Sequence, residues 1–172
     1  MTTYGERQKR WDTYYHRICC AVSSKSPCLS RQIGAILVRE NVIVSTGYNG
    51  PARGYPHCEG LATGMPDIST PTEIHFEKVC PRHAKGYKSG EGLYECPATH
   101  AEANCIISAA RIGAAVSGST LYMNCIIPCK DCMSLLVNAG VREVVVNDII
   151  AYHEISLPIA ESAGIKIRRF RL

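Results

Sequence analysis

No stretch of the 172 residues stays apolar for the roughly 20 positions that a bilayer-crossing helix needs. The N-terminus, MTTYGERQKRW, lacks the apolar segment of a secretory signal, so nothing directs the chain out of the cell and a cytoplasmic location is expected. Net charge is also small: 19 Lys and Arg against 15 Asp and Glu leave a formal net charge of +4. A nucleic-acid binder of this size is ordinarily more basic, so neither nucleic acid nor membrane is an expected partner. Internal repeats and linker-like segments are missing as well. The expectation is one domain over 1–172, long enough to bury a core.

Cysteine, in contrast, is abundant, with ten in the chain. In a secreted protein these would suggest disulfides. In a reducing compartment, Cys-x-x-Cys pairs near histidines fit metal ligation better. The stretch that organises the chain is Thr99-His100-Ala101-Glu102-Ala103-Asn104, completed by Pro128-Cys129-Lys130-Asp131-Cys132. A hydrolytic zinc site takes three His or Cys ligands and keeps a fourth position for water. His100, Cys129 and Cys132 supply the three, and Glu102 remains as general acid and base. Helical spacing follows both segments: Ala103, Ile106, Ile107 and Ala110 make one stripe ending at Gly113, and Cys129, Cys132, Met133 and Leu136 make another. Both ligand sets therefore fall at helix N-termini, where the dipole favours anions. A capping histidine and a redox thiol pair are the plain readings of each half alone, but they leave the two halves unrelated.

The chain in order reads as a helix over 6–24, with Trp11, Tyr14, Tyr15 and Ile18 on a core-facing stripe. Two β-rich runs from Gln32 to Tyr48 then form a hairpin. Asn49 to Pro97 is rich in Gly, Pro, Cys and His and has little periodicity. A loop that long in a small domain needs something to staple it. The two motif helices follow, separated by the strand SGSTLYMNC. Next come the strand REVVVN, a helix over roughly 153–163 with an awkward Pro158, and a last strand over 165–171 whose charges guard a sheet edge. Helices joining the last three strands imply parallel pairing through right-handed crossovers. The fold expected is a three-layer α/β/α arrangement around a mixed five-stranded sheet.

These residues resemble the deoxycytidylate (dCMP) deaminases, within the cytidine deaminase superfamily. The H-x-E…P-C-x-x-C pattern marks the superfamily. Ile33-Gly34-Ala35-Ile36, Gly47-Tyr48-Asn49-Gly50 and Asn138-Ala139-Gly140-Val141, with a cysteine-bearing insertion after the Gly-Tyr-Asn-Gly, point to the nucleotide-level branch; the likeness runs from about Ser26 to the C-terminus. The resemblance implies hydrolysis of dCMP to dUMP and ammonia, supplying thymidylate synthesis. Glu102 would take the water's proton, deliver it to N3 of the ring and later protonate the departing amine. Asn49 would hold the sugar hydroxyl, with Ala101 and Tyr152 near the base and sugar. For the 5′-phosphate, Arg31 and Arg53 are candidates by position. The resemblance also implies a homohexamer activated by dCTP with Mg²⁺ and inhibited by dTTP. In that picture Gly47, Tyr48, Asn49 and Gly50 belong to the effector site, and Arg111 to subunit contact and regulation.

Among the other cysteines, Cys19 and Cys20 read as packing residues of the first helix. Cys28, Cys58, Cys80 and Cys96 surround the insertion and suggest a second, structural zinc whose binding free energy orders it. His83 is an alternative ligand to Cys80, and His57 and His75 are weaker ones. The competing functional readings are a deaminase of another base or a non-catalytic nucleotide-sensing zinc module.

Overall fold

The computed structural model describes residues 3–55, 58, 80–88 and 90–172. In chain order these contain α1 (Tyr4–Ser23), β1 (Gly34–Arg39), β2 (Val42–Tyr48), β3 (Gly50–Pro51), the single turn α2 (Pro81–Ala84) and β4 (Ala98–Thr99). Then follow α3 (Ala101–Arg111), β5 (Thr120–Met123), β6 (Ile126–Ile127), α4 (Lys130–Asn138), β7 (Glu143–Val146), β8 (Asp148–Ala151), α5 (Ser156–Ser162) and β9 (Lys166–Arg169). The main sheet has five strands in the order β2-β1-β5-β7-β9. Antiparallel pairing of β1 with β2 and β5 gives way to parallel pairing of β5 with β7 and of β7 with β9. This is the mixed sheet expected from the order of elements.

Both faces of the sheet are covered, and the period of two along β1 shows how. Ala35 and Leu37 join Leu121, Val144 and Val146 under α3 and α4, while Ile36 and Val38 join Tyr122 and Val145 under α1. The hairpin turn places Glu40 and Asn41 at φ 51° and 64°, the left-handed geometry of a two-residue turn that matches strand twist. Gly113 follows α3 at φ 70°, where a side chain would be strained.

Several local expectations are corrected. The stripe on α1 is narrower than its spacing implied: Tyr15 and Cys19 are buried, whereas Trp11 and Tyr14 are 41% and 49% exposed and Cys20 is exposed. The helix begins at a Thr3–Glu6 capping box, two residues before the expected start. Pro158 sits in the first turn of α5, where its missing N–H has no helical partner to lose. The segment after Asn49 is anchored at both ends by an unforeseen ribbon pairing Gly50 with Thr99 and Pro51 with Ala98. A second ribbon, β6 with β8, lies outside the main sheet. No described helix is long and apolar enough to cross a membrane.

The last strand is an edge strand, but its charges do more than guard it. Asp12 on α1 is fully buried and accepts from Arg168 Nη1 (2.6 Å) and Nη2 (3.1 Å), from the Arg171 backbone N–H (2.8 Å) and from Gln8 (2.9 Å). Arg168 Nε also donates to Glu143 at 3.0 Å. Removing one partner leaves the other charge buried and unsatisfied. Asp12→Ala should therefore cost about 3–5 kcal/mol, read as a lower midpoint in urea unfolding with an unchanged slope. A loss under about 1 kcal/mol would mean the pair is solvated.

Candidate active site

His100 occupies the N-cap of α3 and Cys129 the N-cap of α4, with Pro128 just ahead of it and Cys132 in the first turn. Neither cap residue uses its side chain on its own helix, so the imidazole and thiol are free to converge. His100 Nδ1 lies 3.5 Å from Cys129 Sγ and 3.4 Å from Cys132 Sγ. A tetrahedral zinc with bonds of about 2.3 Å to sulfur and about 2.1 Å to nitrogen sets those ligand atoms about 3.6 Å apart. Both nitrogen–sulfur separations thus suit the ion. The trio is the one group among the described residues whose ligand atoms all lie within 4.8 Å of one another.

The surroundings favour thiolate. Cys129 is drawn down to about 4, first by the hydrogen bond from Cys132 and then by His100. The same shared proton, reinforced by burial, pushes Cys132 up. Glu102, in the first turn of α3, is buried at 4% exposure, and that burial raises its carboxyl above the ordinary range.

Glu102 and His100 open into a pocket of about 440 Å³, a size suited to a small organic ligand. Asn49, Ala101, Arg31 and Tyr152 also line it, whereas Arg53 does not and is exposed. Asn49 is more constrained than its sequence suggested. Asn49-Gly50 runs straight on into β3 rather than turning. The Asn49 Oδ1 accepts from Ser26 Oγ (2.8 Å) and the Ile33 N–H (2.8 Å), and Nδ2 donates to the Arg31 carbonyl (2.9 Å). One Nδ2 hydrogen is left to offer a ligand. Tyr152 follows β8 in the small ribbon, not a strand of the main sheet, and its hydroxyl donates to the Gly90 carbonyl. Sequence reasoning missed Arg82, Gly90 and Leu93, which the insertion contributes to the pocket wall. They lie in a segment without periodicity, and no local signal marks them.

Gly47 has a packing reason of its own. A Cβ there would come within 2.4 Å of the Ala101 carbonyl and the Cys105 N–H, both backbone atoms of α3. Gly47→Ala must push α3, and Glu102 with it, off β2. The expected result is a loss of about 1–3 kcal/mol in stability together with lower turnover; unchanged unfolding and kinetics would show that the helix yields freely. Of the other residues assigned to regulation, Tyr48 and Arg111 are exposed and Gly50 is buried.

Cys28, Cys58, Cys80 and Cys96 line one small cavity of about 30 Å³. Cys58 is pushed up to about 11 by burial and then by the neighbouring Cys80, Cys28 and Cys96 thiols. The sulfurs are not drawn as tight as the His100 set. His83 is exposed and does not line this cavity, so it is not placed to replace Cys80. His57 and His75 lie outside the described residues.

Residues 9–148 match the family model of the cytidine and deoxycytidylate deaminase zinc-binding region. The chain belongs to this family. Among its relatives, the deoxycytidylate deaminase of Saccharomyces cerevisiae is 31% identical over 93% of this chain and 45% of its own length. That of Schizosaccharomyces pombe is 28% identical over 93% of this chain and 44% of its own. The chain thus spans less than half the length of these yeast proteins. The deoxycytidylate deaminase of enterobacteria phage T4 is 30% identical over 75% of this chain and 73% of its own. The deaminase fold is shared with the cyanophage S-TIM5 dCMP deaminase solved with dCMP and dUMP. That match has a TM-score of 0.65 and 21% identity, and covers 93% of this chain and 96% of that one.

Proposed function

We propose that this chain hydrolyses dCMP to dUMP and ammonia, providing dUMP for dTTP synthesis. The observation that carries the reading is Glu102, buried beside the convergent His100, Cys129 and Cys132 at a pocket that extends to Asn49 and Arg31. The names of the yeast and phage relatives support it, as does the pair of nucleotides in the cyanophage structure. Zinc held by His100, Cys129 and Cys132 would supply the Lewis acidity that makes water nucleophilic near neutral pH. Glu102 takes one proton from the attacking water and hands it to N3 of the cytosine as the C4–O bond forms. It then takes the proton of the new C4 hydroxyl and passes it to the amino group, so that the C4–N bond breaks to leave C4=O and ammonia. Its burial suits both halves of that task, because a raised carboxyl is a competent acid as well as a base. Asn49 donates its remaining amide hydrogen to the sugar, Tyr152 closes the pocket against Gly90, and the apolar Met123 and Ile127 exclude water from the base.

The test is ultraviolet absorbance with dCMP, CMP, deoxycytidine and cytidine on zinc-replete protein. Turnover of dCMP ahead of the nucleosides supports the reading; turnover of none of them makes the non-catalytic module the better account.

The four thiols of Cys28, Cys58, Cys80 and Cys96 support a second, structural zinc, which would order the insertion. Pure protein should then carry two zinc ions per chain by metal analysis, and a value of one removes the second site. Regulation by dCTP with Mg²⁺ and by dTTP, in a homohexamer, rests on the resemblance in Gly47-Tyr48-Asn49-Gly50 and at Arg111. Turnover unaffected by dTTP would remove that part and leave the enzyme.

A further inference from the structure

One charged side chain in the pocket is left without a role by this reading. Arg82, on the single turn α2 of the insertion, is 5% exposed, the one buried Arg or Lys among the described residues. Its Nη1 donates to the Glu91 carbonyl at 2.9 Å, its Nη2 reaches Ser30 Oγ only at 3.4 Å, and its Nε has no partner. Among the described residues no carboxylate forms an ion pair with it. Its guanidinium does lie against the Cys80 thiol, which, despite burial, is held below its ordinary value by the His83 and Arg82 backbone and by the Arg82 side chain. A guanidinium buried with an unmet donor is costly unless an anion completes it.

The position indicates which anion. Arg82 and Ser30 line the pocket that contains Glu102 and His100, and they also line the four-thiol cavity, which Glu102 and His100 do not. They therefore lie where the pocket borders the thiol cavity; Arg31, next to Ser30 in the chain, lines the same pocket with its Nη1 3.9 Å from Cys125 Sγ. The planar fork of an arginine matches a phosphate with two parallel N–H bonds, a geometry that lysine does not reproduce.

We infer that Arg82 anchors the 5′-phosphate of the substrate, with Ser30 and Arg31 beside it, and so sets the preference for nucleotide over nucleoside. The inference rests on the deaminase reading above and adds the residue that selects the substrate class. In this arrangement the insertion is part of the substrate site, because the arginine it carries is held between the thiol cavity and the pocket.

The experiment compares kcat/KM for dCMP and for deoxycytidine in zinc-replete wild type, Arg82→Met and Arg82→Lys, with zinc content measured on each preparation. The expected result is a fall of about 10²-fold in the dCMP-to-deoxycytidine ratio for Arg82→Met, with a smaller fall for Arg82→Lys, and most of the change in KM. If Arg82→Met does not fold, the ratio in Arg82→Lys decides: a decrease supports the anchor and an unchanged ratio overturns it. A variant that loses zinc but keeps the ratio overturns the anchor as well, since a counter-charge to the thiols predicts that pattern. Wild type active on dCMP with an unchanged ratio in the variants removes the anchor and leaves the deaminase reading standing. Wild type inactive on dCMP removes both.

Discussion

Glu102→Gln is expected to retain its zinc and lose essentially all turnover of dCMP. The substitution keeps the volume and one acceptor oxygen at a buried position of α3, so the helix and the His100–Cys129–Cys132 set should persist. What disappears is a group able to accept and release a proton. General acid–base help is worth roughly 10²–10⁴-fold, and Glu102 is asked to serve more than one proton transfer, so the loss should reach at least the upper part of that range. The measurements are kcat on dCMP and zinc per chain, made on the same sample. Normal zinc with near-normal kcat would rule out Glu102 as the proton carrier. Loss of zinc with loss of activity would instead make Glu102 a support for the metal site.

The second large effect concerns the metal ligands. Cys132→Ser replaces a soft anionic ligand with a neutral hydroxyl in the first turn of α4, within 3.4 Å of His100 Nδ1. Zinc bound per chain should fall by one, and deamination should drop below detection, because the hydroxide available near neutral pH depends on that ion. The insertion cysteines are remote in sequence from this change, so any second zinc should remain and the fold should be kept. Far-ultraviolet circular dichroism on the same preparation checks that. Activity preserved in zinc-depleted Cys132→Ser would contradict the mechanism directly. Incomplete loss that recovers with added zinc would show weakened affinity, with the same ligand still assigned.

The motifs that carry the chemistry were legible because their logic is local. His100 and Glu102 are two residues apart at a helix start, and Cys129 and Cys132 share one turn. Only their meeting on one face of the sheet is non-local, and the paired occurrence in one chain anticipated it. The alternation in β1 and the stripes on α3 and α4 likewise follow from backbone periodicity. Misreadings arose where tertiary packing overrode spacing. Trp11 and Tyr14 share helical spacing with Tyr15, yet α1 touches the sheet along a strip too narrow for all three. Arg168 reads as an edge charge, but its partner Asp12 lies more than 150 residues away. Nothing in either neighbourhood announces the pair.

The insertion shows the boundary most clearly. Its cysteines signalled a staple, yet the β3–β4 ribbon that pins both ends is only two residues long on each side, below what a sequence pattern can mark. Arg82 belongs to that stretch, and only the folded chain brings it to the pocket that contains Glu102. The sequence by itself determined the order of the five main-sheet strands and their helices, the deaminase motif and the residues of that motif that converge, because each depends on helix and strand periods or on spacing within one turn. Tertiary structure alone decided which arginine reaches the pocket, how far Asn49 is already committed, and why Gly47 has no side chain. Those answers depend on contacts between segments far apart in the chain, where burial, and not local preference, sets the energy.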